Sequence, residues 1–147
     1  MERVQIIPDL FSKEECDALI AKLEDSPLLQ ADRNGADYQR SVIYDQAIAN
    51  ILTKRMSHLI PRDINAVCIS DRIRFSKYNP NGEFSLHQDG IHQDPRTGYR
   101  STYTLSIFLN DGFTGGETDF LFGNQSKQCQ ITKVGVTISW KSHFIPS

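Results

Sequence analysis

The sequence predicts an α+β domain, helical first and then rich in strands. Two amphipathic stretches lie within the first 61 residues, each with a capping residue before it and a proline after it. From Ala66 onward the pattern changes to short runs of β-forming residues separated by Gly, Pro and Asn. Helices followed by many strands imply helices packed on one sheet of a sandwich. A chain of 147 residues is one domain by length, with 1–61 as the helical part and 62–147 as the β core. That size buries about two thirds of the unfolded surface.

In chain order, Val4–Phe11 reads as a strand running into a helix. Ser12 and Glu15 have capping-box spacing, and Cys16, Leu19, Ile20 and Leu23 recur at helical intervals as core positions. Asp25-Ser26-Pro27 ends that helix. Ala31–Tyr38 is polar and reads as a loop or irregular edge, and Val42-Ile43-Tyr44 as a short apolar run. Asp45 caps a second helix through Leu59, with Ile48, Ile51, Leu52, Met56 and Leu59 on one stripe, and Pro61 closes it. Ala66–Ile69 and Ile73–Tyr78 read as strands, the second ending in the turn Asn79-Pro80-Asn81-Gly82. Glu83–Asp89 is read as a further strand and Gly90–Gly98 as a polar loop. Ser101–Asn110 alternates Tyr103, Leu105, Ile107 and Leu109 with Thr102, Thr104, Ser106 and Phe108, as a wall between a core and a pocket would. After a Gly115-Gly116 turn, strands are expected at Glu117–Phe122, Cys129–Val134 and Thr137–Lys141.

Composition narrows the function. Hydrophobic residues make up 39% and charged residues 23%, as in ordinary globular proteins, and the formal net charge of -2 favours neither nucleic acid nor an anionic membrane. No apolar run reaches membrane-spanning length, and the N-terminus lacks the apolar core of a signal peptide. Cys16, Cys68 and Cys129 show no zinc-ligand spacing, which points to reduced thiols and a cytoplasmic location.

The chemistry lies in His87-Gln88-Asp89. On an extended strand, side chains two apart share a face, so His87 and Asp89 would stand side by side. An imidazole beside a carboxylate supplies two thirds of the 2-His-1-carboxylate triad that holds non-haem Fe(II). A second copy, His92-Gln93-Asp94, follows in the loop and is expected to be solvent-exposed; alternatively all four groups form a different metal site.

With Tyr78, Gly82, Phe84 and Gly90 around this motif, and with the Leu-Asn-Asp, Gly-Gly-Glu-Thr and Phe positions between Arg100 and Phe120, the chain resembles the 2-oxoglutarate/Fe(II)-dependent dioxygenases of the prolyl 4-hydroxylase-like type. The likeness extends back through Ile6–Pro61, and the strands together resemble a double-stranded β-helix, a jelly-roll relative. The resemblance implies an enzyme that binds Fe(II) and 2-oxoglutarate, uses ascorbate as reductant, and hydroxylates a C–H bond while 2-oxoglutarate is decarboxylated to succinate. The substrate would be a peptidyl proline, another residue or a small molecule. His87 and Asp89 match the first two metal ligands, and Tyr78, nine residues before His87, matches a tyrosine facing the cosubstrate. Thr104 and Ser106 offer hydroxyls to 2-oxoglutarate. Phe108 departs from the tyrosine that several relatives carry before Leu-Asn, and cannot donate a hydrogen bond.

The pattern changes at the C-terminus. Gly135 and Trp140 fit the expected turn and aromatic, but the position of the distal histidine falls on Pro146. A basic residue for the far carboxylate of 2-oxoglutarate, expected on one more strand, does not follow, and Lys141 substitutes for it poorly. Three readings stand: a truncated dioxygenase, a degenerate relative that binds without catalysing, or an atypical site completed by His143. A core strand short at this end would leave an open sheet edge that invites self-association.

Overall fold

The protein, described from a computed structural model, has an α+β architecture, with two helices and antiparallel sheets among the described residues. The structure describes residues 4–25, 27, 29–30, 38–59, 68–85, 87, 89–122, 125–129 and 137–141. Chain contacts divide it into two compact units, Met1–Lys22 with Leu86–Ser147, and Leu23–Ser85.

In the first unit, β1 (Val4–Ile7) leads through a turn into α1 (Lys13–Glu24), whose last two residues belong to the second unit. The capping box forms as its spacing predicts: the Ser12 amide donates to Glu15 Oε2 at 2.9 Å and the Glu15 amide to Ser12 Oγ at 3.2 Å. Val4, Ile7, Leu10, Phe11 and Cys16 of this unit are buried. A three-stranded sheet has the order β1–β8–β5, where β5 is Tyr103–Ile107 and β8 is Thr137–Lys141. Both pairings are antiparallel, with Thr104 opposite Trp140 and Ile6 opposite Ile138. A separate hairpin joins β6 (Thr118–Phe122) to β7 (Gln125–Cys129). Gly115 and Gly116, with φ of 82° and 76°, occupy the left-handed region that favours glycine at the approach to β6.

In the second unit, β2 (Leu29–Gln30), β3 (Tyr38–Tyr44) and β4 (Arg72–Tyr78) form an antiparallel sheet in that order. The helix α2 (Gln46–Met56) begins at Asp45, whose Oδ1 accepts from the Ile48 amide at 3.0 Å. Its buried face is Ala49, Leu52 and Met56. The Asp45 amide donates to the Asp71 carbonyl and the Ile69 amide to Thr53 Oγ1, so the residues just before β4 are pinned beside α2. The β4 strand ends in the expected turn: the Gly82 amide donates to the Asn79 carbonyl, with Pro80 second and Asn81 third at φ 63°, as in a type II turn.

Several expectations need correction. Tyr38 is a buried strand residue rather than part of a loop, and β3 begins there although Gln39, Arg40 and Ser41 carry no apolar signal. Seven backbone pairings with β4 outweigh the polar side chains. The second helix stops at Met56 instead of Leu59, and Ile51 is 42% exposed; at about 100° per residue it lies well off the stripe of Ile48, Leu52 and Met56. Cys68 and Ile69 lie outside any strand, as do residues 83–85, 87 and 89, so the metal-bearing segment is not a regular strand. The predicted Cys129–Val134 strand meets the structure only at Cys129; β7 runs Gln125–Cys129, and 130–136 lie outside the described residues.

Candidate metal centre

The sequence places two potential ligands one residue apart, and the structure brings their heads together. His87 Nε2 lies 3.2 Å from Asp89 Oδ1. The Asp89 side chain is 17% exposed and that of His87 40% exposed, so the acid is shielded while the imidazole reaches solvent. The second carboxylate oxygen is held from β5: Thr104 Oγ1 donates to Asp89 Oδ2 at 2.8 Å. One oxygen thus faces the imidazole and the other is fixed by a hydroxyl, which sets the plane of the carboxylate.

At 3.2 Å the two heads are within hydrogen-bonding distance of each other, a separation that two ligands of one cation also have. Metal bonds of about 2.1 Å meeting near a right angle hold two donors about 3 Å apart, close to the observed separation. Imidazole nitrogen and carboxylate oxygen are the donor types that non-haem Fe(II) takes. Among the described residues, no three His, Cys, Asp or Glu side chains gather closely enough to hold a metal by themselves. His143 lies outside the described residues.

Strand alternation explains why Thr104 was accessible to sequence reasoning, though with a different partner. Its face of β5 was assigned to a pocket, with its hydroxyl on the cosubstrate; the structure directs its hydrogen to Asp89. Ser106 stands two residues further along the same strand and is half-buried.

The second His-x-Asp serves the loop. Asp94 Oδ1 accepts from the Arg96 amide at 2.8 Å and from Arg96 Nε at 3.1 Å, and Oδ2 accepts from Arg96 Nη2 at 2.7 Å. The Arg96 guanidinium and amide hold the Asp94 carboxyl down at about 2. The Asp94 amide donates to the Tyr99 carbonyl, the Gly98 amide to the Asp94 carbonyl and the Ser101 amide to the His92 carbonyl, and Gln93 bridges Arg100. Asp94 is therefore engaged as the staple of a tight loop, and His92 is exposed as expected.

Tyr78, read as a cosubstrate residue, is the last residue of β4 in the other unit. Its ring packs against Tyr38 at 5.1 Å between centroids. Burial raises the Tyr78 hydroxyl above its ordinary value, Tyr38 adds to the rise, and Arg40 opposes it. Sequence reasoning passed over Tyr38 and Arg40, because a polar run before a short apolar one carries no period to flag them.

Comparison of the chain with known protein families, with characterised proteins and with solved structures finds no match to any of them.

Proposed function

We propose that the protein is an Fe(II)- and 2-oxoglutarate-dependent dioxygenase that hydroxylates a C–H bond of a peptide or small molecule. The observation that carries this reading is the His87–Asp89 pair at 3.2 Å with Thr104 behind the carboxylate. Iron with 2-oxoglutarate would supply the oxidising power for C–H hydroxylation, which no side chain can provide. The chain's own contribution is binding and orientation. His87 would hold the metal through a ring nitrogen and Asp89 through Oδ1, while the hydrogen bond from Thr104 fixes Oδ2.

Strand connectivity supports a jelly-roll in the first unit. The β6–β7 hairpin is nested between β5 and β8, which pair with each other in a different sheet. Nested antiparallel pairs that alternate between two sheets are what rolling up one long hairpin produces. The next pair outward would set the segment before β5, which carries His87 and Asp89, against the segment after β8, where His143 lies. A third ligand is expected from that segment. Cys16 and Cys68 are not bridged as disulfides, which accords with a reducing cytoplasm.

Anaerobic addition of Fe(II) and 2-oxoglutarate tests the reading. A weak visible metal-to-ligand charge-transfer band, followed by succinate formation under air, is the expected result. No band and no succinate would leave a non-catalytic binding protein. Unchanged iron affinity in His143→Ala would remove that histidine from the site.

A further inference from the structure

A second polar constellation, independent of the metal reading, lies wholly within the Leu23–Ser85 unit. Tyr38 pairs with Tyr78 and Arg40 with Ser76 across β3 and β4, so these four side chains share one face of the sheet. Tyr38 is 1% exposed and packs between the tilted Tyr78 ring and the edge-on ring of Phe84, 5.3 Å away. Arg40 lies over the Tyr38 ring at 5.2 Å and its Nη2 donates to the Tyr38 hydroxyl.

Arg40 Nε is buried and has no hydrogen-bond partner. Native proteins seldom leave a buried donor unmet, and least often one belonging to a permanent charge. The groups described around this guanidinium are aromatic rings and a neutral phenol, none of which balances its charge. Among the described residues the guanidinium has no anionic partner.

We propose that Arg40, Tyr38 and Tyr78 form a binding site for the carboxylate of a small organic acid. A carboxylate matches the fork of Nε–H and an adjacent Nη–H, and the contact is charge-assisted. Tyr78, 49% exposed at the end of β4, is the side chain that moves to admit the ligand and then donates its hydroxyl to the second oxygen. Phosphate can also meet a guanidinium fork, so the two anions are compared directly in the test.

The test uses the full chain, free of divalent metal, so its outcome does not depend on the iron site. The Arg40 Nε–H resonance is followed by ¹H–¹⁵N NMR during titration with succinate, with phosphate and chloride at matched ionic strength as comparators. Thermal denaturation is measured in parallel on the wild type, Arg40→Met and Tyr78→Phe. A saturable shift with succinate is expected, together with a succinate-dependent rise in Tm in the wild type. Apparent affinity should fall by at least about tenfold in Arg40→Met, the loss of a charge-assisted contact, and less in Tyr78→Phe. An Nε–H resonance indifferent to succinate overturns the proposal. So does an equal response to phosphate or chloride, or an equal Tm rise in Arg40→Met. If Arg40→Met does not fold, the wild-type resonance decides alone.

Discussion

Replacing Thr104 with valine isolates the support given to the Asp89 carboxylate. Valine keeps the shape of threonine and suits a strand, so β5 should persist, and the change removes one hydrogen bond of 2.8 Å. A hydrogen bond to a charged group contributes about 1.5–3 kcal/mol. Thr104 is only half-buried and Asp89 retains some solvent contact, so the lower end applies. About 1.5 kcal/mol is roughly a tenfold change in an equilibrium constant, the low end of the roughly 10- to 100-fold effect seen when an outer partner of a metal ligand is removed. Anaerobic calorimetric titration with Fe(II) should therefore show binding weaker by about tenfold in Thr104→Val and close to wild type in Thr104→Ser, which keeps the hydroxyl. Wild-type affinity in the valine variant, or equal loss in both, would refute the idea that the hydroxyl orients the carboxylate.

Three further predictions concern the frame. Asp45→Ala removes the cap of α2 and should lower stability by about 1 kcal/mol in urea denaturation, with Asp45→Asn nearer wild type. Gly116→Ala forces a side chain into φ 76° and sets its Cβ 2.8 Å from Phe113 Cε2. The Phe113 ring is exposed and can swing, but the backbone conformation cannot, so a loss of about 1–2 kcal/mol is expected by the same method. The Asp94 carboxyl should titrate by NMR near 2 and return toward 3.8 in Arg96→Gln. Because its folded value is depressed, the stabilisation it gives the loop is complete above about 3.8 and is lost as pH falls through about 2.

What was readable in the sequence was local. Ser12 with Glu15, Asp45 before its helix, and Asn79-Pro80-Asn81-Gly82 each act within four residues, and each forms as its chemistry dictates. Strands with branched or aromatic side chains, such as Arg72–Tyr78 and Thr137–Lys141, were also legible. Tyr38–Tyr44 and Gln125–Cys129 were not, because their polar residues leave no period; the first is ordered by the distant β4 and the second by its hairpin partner β6. The same distinction runs through the site. His87 and Asp89 could be paired from spacing alone, and they meet although their segment is not a strand. That Thr104, fifteen residues away, gives its hydrogen to Asp89 depends on how β5 lies beside that segment, and no spacing rule carries that information.

Anaerobic Fe(II) titration of the wild type beside His87→Ala and Asp89→Ala bears most directly on whether this pair grips a metal. One equivalent bound by the wild type, with binding severely weakened by either substitution, is the expected result. Equal affinity in all three proteins, or no binding by the wild type, would contradict it.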